Sequence, residues 1–278
     1  MRIEDTGKIY KTYFESWGEF VDQAEFGNST APENCRKSKT NGSWFSAGAN
    51  FEESIQLART GWPEGLARMK TKLDTLKAAI PSRFFQPVIH MQVVGPGTLD
   101  MNRYQMGHPE PWVTWQQEQV ESQDNGIIII NFNISASAGV SSEEMFQKGA
   151  ACCELVDILE SQGRRVELMV SMGNQGIQQY IMVKRAGDIL DMDRIAFATA
   201  HAGSFRRLGF SHLEQAPKNY LMDTGVYPNY GYGRPADIEV EGALNIKPSS
   251  WYDRSYNELG SVKWLNKQLE QYGIILEV

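Results

Sequence analysis

The hydrophobic pattern of residues 126–170 changes from that of a strand to that of a helix and back again. Residues 127–134 form an apolar run rich in isoleucine, which is typical of a strand buried on both faces. Ser141 then stands three residues before Glu144, the spacing of a capping box at the start of a helix. Residues 165–170 are predicted as the next strand. This order predicts a right-handed parallel βαβ unit.

Apolar spacing predicts further elements on both sides of this unit. Helices are predicted over 8–25, 50–60, 63–79, 193–213 with a break near Gly203, and 255–272. Strands are predicted at 87–94, 112–115, 178–185, 238–240 and 274–278.

Together these elements predict an α/β fold. We expect a central, mostly parallel sheet around 127–185, flanked by helices, with a mainly helical N-terminal region (1–80) packed on it. The sheet-containing core would occupy 87–278. We treat 1–278 as a single compact α/β domain, since 278 residues can bury one large core.

Composition is that of an ordinary globular protein, with 41% apolar and 22% charged residues. No apolar run approaches the ~18 residues of a membrane helix, and the N-terminus lacks the apolar core of a secretion signal. We therefore expect no membrane partner and a cytoplasmic location. The net charge of −7 argues against a surface that grips duplex DNA throughout, but it allows a local single-strand site.

Three cysteines do not make a disulfide framework. Cys152 and Cys153 are adjacent within the predicted central helix, so we expect both in the core. Cys35 lies in a polar loop and is predicted to be a free thiol.

Tyrosines, glycines and arginine alternate in the segment 225–235, which includes Tyr230, Tyr232 and Arg234. Glycine gives such a loop backbone freedom, tyrosine rings can stack on bases, and arginine can hold phosphate. Each stacked ring could contribute ~1–3 kcal/mol. A surface turn with packed tyrosines is the plainer interpretation.

Other cations of the same character lie elsewhere in the chain. They are the pair Arg206 and Arg207, Arg254 next to two aromatic residues, and the polar arm that contains Arg36, Lys37 and Lys39. We expect these cations to contact phosphates of a single strand, although solvated loops have a similar composition.

The segment Asn133-Ile134-Ser135-Ala136-Ser137 follows the predicted buried strand, where open α/β sheets bind ligands. It resembles the Asp-x-Ser-x-Ser loop with which von Willebrand factor A domains hold a divalent cation. Asn133 replaces the aspartate of that loop and brings no charge, which weakens its hold on a hard cation. A serine-rich turn that caps the helix is the alternative interpretation, so we predict no metal and keep Asn133, Ser135 and Ser137 as an alternative site.

Catalytic patterns are weak. The four histidines are scattered, without metal-ligand spacing, and no nucleophile elbow or phosphate-binding loop occurs. We predict a protein that is not an enzyme and that needs no cofactor; a hydrolase based on His201 or His212 has little support.

Several separated motifs resemble a family of mostly uncharacterised α/β proteins carried largely by bacteriophages. They are Ser-Trp-Phe-Ser-Ala-Gly at 43–48, Asn-Phe-Glu-Glu-Ser-Ile at 50–55, Gly-Trp-Pro-Glu-Gly at 61–65, the turns at 94–101 and 107–112, and the central segment 133–141. The resemblance spans roughly residues 43–170.

This resemblance implies a link to the single-stranded-DNA-binding cofactor of the phage RNA polymerase in lytic podoviruses. We therefore expect a DNA-binding transcription cofactor that recruits RNA polymerase, with single-stranded DNA and the phage RNA polymerase as partners. A homo-oligomer is compatible with the sequence, which does not give the oligomeric state, the nucleotide preference or the exposure of the tyrosine segment. The alternative is a von Willebrand A-like protein-interaction module with a degenerate metal site.

Overall fold

The fold is described from a computed structural model. It describes residues 1–30, 35–37, 43–70, 89–92, 98–99, 101–107, 112–117, 126–161, 163–226, 232, 234–249, 264, 267–268 and 270. The predicted strand 274–278 and most of the predicted helix 255–272 lie outside these residues.

The strands of the described residues build two sheets. Their bounds are β1 Arg2–Asp5, β2 Tyr10–Phe14, β3 Ile89–Gln92, β4 Thr98–Leu99, β5 Trp112–Gln117, β6 Ile127–Asn133, β7 Arg165–Gly173, β8 Ile177–Lys184 and β9 Leu244–Ile246. A six-stranded sheet has the order β1-β2-β8-β7-β6-β9, and a three-stranded antiparallel sheet has the order β3-β5-β4. The prediction at 238–240 is wrong, because the strand in this region is β9.

Helices connect and cover these strands. Their bounds are α1 Trp17–Phe26, α2 Ser43–Ser46, α3 Phe51–Thr60, α4 63–70, α5 Met101–Gln105, α6 Ser142–Ser161, α7 Met192–Ala200, α8 Phe210–Leu213 and α9 Lys218–Asp223, with a π-helix at Ser204–Gly209. In the described part of the chain, none of them combines the length and apolar character that a membrane crossing requires.

The predicted βαβ unit is confirmed. Strands β6 and β7 run parallel, with Ile127 opposite Arg165, and α6 connects them. The capping box is present, because Ser141 N–H donates to the Glu144 carboxylate (2.8 Å) and Glu144 N–H donates to Ser141 Oγ (3.1 Å). This local signal sets the start of α6.

The expectation of a mostly parallel sheet is wrong, because the sheet is mixed. Strand β8 pairs antiparallel with β7, and β1 pairs antiparallel with β2. Only residues 174–176 separate β7 from β8, and so short a connection permits a hairpin but not the crossover that parallel strands need.

The N-terminal region is also less helical than predicted. Instead of one helix over 8–25, the chain forms β2 and then α1, whose first turn is capped by Ser16. Strand β2 pairs parallel with β8, so that Tyr10 lies opposite Ile177. Tyr10 and Phe14 are four residues apart, a spacing that suits one face of a strand as well as a helix.

The helices pack on one face of the six-stranded sheet. Ile130, Val170 and Ile181 point into this apolar layer and are fully buried. Residues 236–240 lie against the opposite face, where the amide nitrogen of Asn131 donates to Ile238 O (2.8 Å). The sheet is therefore covered differently on its two faces.

Candidate functional site

The structure separates the predicted nucleic-acid-binding residues. Tyr230, Arg254 and Lys39 lie outside the described residues. Lys37 and Arg234 are exposed, Arg36 and Tyr232 are half-buried, and Arg206 and Arg207 are buried. The described residues therefore do not form one continuous basic surface.

Arg206 holds a neighbouring loop from inside the protein. Its side chain is 1% exposed, and its guanidinium donates to the carbonyl of Val140 (2.6 Å). Burial lowers the pKa of Arg206 to about 10, which still leaves it charged near neutral pH. The expectation of a phosphate contact is corrected here, because this guanidinium serves the loop between β6 and α6 instead of the surface.

Arg207 lies next to Cys35 and is also fully buried. The Arg207 guanidinium donates to the Cys35 carbonyl (3.3 Å), and the Cys35 thiol donates to the Arg207 carbonyl (3.2 Å). The expected surface role of Arg207 is corrected in the same way. Cys35 is a free thiol as predicted, yet it is 6% exposed, and burial raises the pKa of that thiol well above its usual value.

Both arginines belong to the π-helix Ser204–Gly209. The predicted break near Gly203 lies at His201, an extended residue that ends α7 shortly before the π-helix begins. Its wider turn directs the side chains of these two consecutive arginines into the protein, where each guanidinium donates to a backbone carbonyl. π-Helical turns are rare and frequently lie at functional sites. The polar residues around this one are therefore candidate functional residues.

Glu214 is the centre of these polar neighbours. Its carboxylate accepts the hydroxyl of Tyr232 (2.9 Å) and the backbone N–H of Cys35, and only 1% of the residue is exposed. Burial raises the pKa of Glu214 to about 7, against the opposing effect of these two donors. Tyr232 also packs on Phe210, with ring centroids 4.8 Å apart, so it is a structural contact of this cluster.

Arg36 continues the cluster towards the surface. Its Nε donates to Ser211 Oγ (3.0 Å), and its guanidinium lies over the Phe51 ring. Arg36 therefore joins the segment 35–37 to α8 and α3. Its neighbour Lys37 is the exposed cation of this segment.

Two residues of the alternative metal site, Asn133 and Ser135, form hydrogen bonds within the protein. The amide nitrogen of Asn133 donates to Ala236 O (2.8 Å), and its oxygen accepts Ser135 N–H (3.1 Å). Ser135 Oγ accepts Gly173 N–H (2.9 Å). Ser137 Oγ has no hydrogen-bond partner within the described ranges. In those ranges no group of three or more His, Cys, Asp or Glu is placed to hold a metal ion.

The two histidines considered for hydrolysis are packed among aromatic rings. His201 lies edge-on to Trp62 (centroids 4.6 Å apart), and His212 stacks on Phe20 (4.5 Å). Burial lowers the pKa of His201 to about 4 and that of His212 to about 3. Both imidazoles are therefore neutral at physiological pH.

Arg234 lines an open groove that sequence reasoning did not assemble. The groove has a volume of about 500 Å³ and is lined by the β7–β8 turn, Lys8, the C-terminal end of α9 and residues 234–235. We call it the Lys8–Arg234 groove. Its two cations face one carboxylate, that of Asp223, so the described lining is net positive.

Asn174 is the buried polar group of this groove. It is 3% exposed, and its side-chain oxygen accepts the N–H groups of Gly176 (3.0 Å) and Ile177 (2.8 Å). The amide is thereby oriented, and its nitrogen has no acceptor among the residues that the structure describes. A buried N–H donor without an acceptor is costly unless a ligand or water supplies one.

One tyrosine forms part of the groove wall. Tyr220 lines it, and its ring lies 5.5 Å from the ring of Tyr10 on β2. The Tyr220 hydroxyl donates to the Asp5 carboxylate, which fixes the ring in place. Tyr220 is 4% exposed, so it is a structural contact of the groove wall, and it is not one of the tyrosines that the sequence singled out.

Sequence reasoning missed Lys8, Asn174 and Tyr220. A signal existed for Asn174, because Gly173-Asn174-Gln175-Gly176 has the composition of a tight turn with an Asx-type hydrogen bond. No sequence signal links this turn to Lys8 or Arg234, which are far away along the chain.

No curated protein and no solved structure matches this chain. One family model, described as "Domain of unknown function (DUF7192)", matches residues 2–275. Because this match spans almost all of the 278 residues, the chain belongs to the family described as Domain of unknown function (DUF7192).

Proposed function

We propose that this protein binds single-stranded DNA and that the Lys8–Arg234 groove holds the sugar-phosphate backbone. The observation that carries the proposal is the Asn174 amide nitrogen, a buried donor with no acceptor among the described residues, in a groove with two cations. A phosphodiester supplies an acceptor oxygen for this donor and a negative charge that the net positive described lining favours.

The charges of the groove favour an anionic ligand. Lys8 and Arg234 are exposed cations on the lining, and arginine suits the planar geometry of two phosphate oxygens. Asp223 on the same lining repels a phosphate that comes too close, so it restricts where a backbone can lie. A local site of this kind is consistent with the net charge of −7.

A chain ligand fits this groove better than a free phosphate ion. The groove is open and holds about 500 Å³, and Tyr220 lines it next to the half-buried ring of Tyr10. Aromatic rings beside cations are the usual combination for single strands, whose bases are free to leave the stack.

We also propose the transcription role that the sequence resemblance implies, in which a phage RNA polymerase is recruited to single-stranded DNA. Addition of the purified polymerase to a labelled strand bound by this protein should raise the fluorescence anisotropy further. An unchanged anisotropy at micromolar polymerase would contradict this role and would leave DNA binding as the proposed function.

Fluorescence anisotropy with a labelled strand of about 20 nucleotides, long enough for a single-strand site, tests the binding proposal. The matching duplex and an RNA of the same sequence serve as competitors. We expect the single strand to bind more tightly than the duplex, and the affinity to fall with added salt because phosphate contacts release counterions.

Three variants identify the groove. Lys8→Ala with Arg234→Ala should reduce the slope of log affinity against log salt by about 1.4, since each phosphate contact of a single strand contributes about 0.7. Asn174→Asp keeps the oxygen that accepts Gly176 N–H but replaces the free donor with a charge, and should weaken binding at least tenfold.

The matched control is Lys70→Ala with Arg194→Ala, which removes the same charge from exposed helical positions outside the groove. It should leave the salt slope within experimental error. A salt-independent affinity, or equal losses in the groove variants and the control, would overturn the proposal.

A further inference from the structure

A second cavity lies between the six-stranded sheet and the helices, beneath the edge strand β1. It has a volume of about 230 Å³, more than ten times the roughly 10–15 Å³ that a single water requires. Ile3, Thr12 and Gln179 line it from the sheet, and Gln23 and His212 line it from the helical side. Its size suits a small organic group.

Gln179 leaves an acceptor in this cavity. The residue is 2% exposed, and its amide nitrogen donates to Gly209 O (3.3 Å). Its Oε1 accepts no hydrogen bond from any residue in the described part of the chain. A ligand that brings an N–H donor would satisfy this oxygen.

His212 also lines the cavity. Its Nε2 lies 2.8 Å from the carbonyl of Phe20, and a carbonyl only accepts, so Nε2 carries the hydrogen. Since the pKa of His212 is lowered to about 3 by burial, Nδ1 keeps its lone pair at neutral pH. The cavity thus presents acceptors without a charged side chain among its described lining residues.

The cavity and the Lys8–Arg234 groove meet at the same pair of rings. Tyr10 lines the cavity, Tyr220 lines the groove, and their centroids are 5.5 Å apart. A charged groove for a backbone therefore lies next to a pocket lined by amides, a hydroxyl and an aromatic ring, and also by Met1, whose N-terminal ammonium is paired with Glu19.

We propose that this cavity binds one unstacked nucleobase of the strand whose backbone lies in the groove, and that it prefers a base with an amino group. This inference rests on the proposed single-strand function. The amino group of cytosine would donate to Gln179 Oε1, whereas the same edge of thymine presents a carbonyl oxygen.

The test uses strands of abasic sites, which carry the phosphates without the bases. Wild-type affinity is measured by anisotropy for a fully abasic strand and for strands with one central cytosine or one central thymine. We expect the cytosine strand to bind about tenfold more tightly than the abasic strand, the effect of one stacked and hydrogen-bonded base, with thymine intermediate.

Two variants locate the effect. Gln179→Leu removes the acceptor, and Ile3→Trp fills the cavity from a residue that is 48% exposed on the edge strand. Both should abolish the gain from cytosine and leave the affinity for the abasic strand unchanged. The control Ile127→Trp adds the same ring at a 52% exposed strand position outside the cavity and should keep the full gain.

The outcomes separate the two proposals. Equal wild-type affinities for the abasic and cytosine strands, with normal salt dependence, would overturn the base pocket and leave the groove in place. A cytosine gain that persists in Ile3→Trp would also overturn the pocket. If ordinary oligodeoxycytidine does not bind at all, both proposals are overturned.

Discussion

Both carboxylate oxygens of Glu214 accept the backbone N–H of Cys35, at 2.8 and 3.0 Å. The contact joins the segment 35–37 to the end of α8 across 179 positions of sequence. Glu214 also receives the Tyr232 hydroxyl. One buried carboxyl thus connects three separate parts of the chain, and its protonation should affect stability.

The first prediction concerns pH. The pKa of Glu214 is about 7 in the folded protein and 4.5 without its surroundings, so the folded state binds this proton more tightly. The resulting stability is complete below pH 4.5 and is lost as the pH rises through 7. The contribution of Glu214 to the free energy of unfolding, measured with urea, should be about 3 kcal/mol smaller at pH 8 than at pH 4.5.

Glu214→Gln isolates this effect, because glutamine keeps an acceptor for Tyr232 and does not titrate. The difference in unfolding free energy between wild type and variant should change between pH 4.5 and 7. His201 and His212 titrate equally in both proteins and cancel from the difference. A difference that stays constant over this range would contradict the assignment.

The second prediction separates stability from binding at Arg206. Arg206→Ala removes the donor to Val140 O and leaves a cavity, so the free energy of unfolding should fall by about 3 kcal/mol. Lys37→Ala, at an exposed position, should change it by less than about 0.5 kcal/mol. If Arg206→Ala instead weakens DNA binding with stability unchanged, the structural role of this guanidinium is wrong.

The third prediction concerns the contact between α6 and α7. A Cβ added at Gly149 would overlap backbone atoms of Thr199 and Ala200. Gly149→Ala should therefore lower the free energy of unfolding by about 1–3 kcal/mol through overpacking. Gly187→Ala is the control, since its Cβ meets no described atom within 4 Å; equal effects in urea unfolding would disprove the close packing.

The fourth prediction concerns the alternative ion site. The side chains of Asn133 and Ser135 form hydrogen bonds with Ala236 and Gly173. We therefore expect that Mg²⁺, Mn²⁺ or Ca²⁺ does not raise the melting temperature. Scanning calorimetry at increasing ion concentration measures this directly. A rise that Ser137→Ala abolishes would restore the von Willebrand A-like interpretation, because bound ligand stabilises by mass action.

The sequence by itself determined the βαβ unit and the starts of α3 and α6. The capping boxes at Ser141 and Asn50 depend on residues three positions apart, so a local pattern identifies them. The helix predicted from residue 193 begins slightly earlier, because Asp191 caps α7 and Met192 is its first residue. Local hydrogen bonds need no knowledge of the rest of the chain.

The tertiary structure alone decided the strand character of residues 10–14 and the burial of Arg206 and Arg207. Strand β2 exists because it pairs with β8, more than 160 residues later, and no local signal contains that partner. The Lys8–Arg234 groove combines four separate segments of the chain for the same reason. Such long-range pairings are chosen by packing and hydrogen bonding across the whole fold, which a pattern within one segment does not encode.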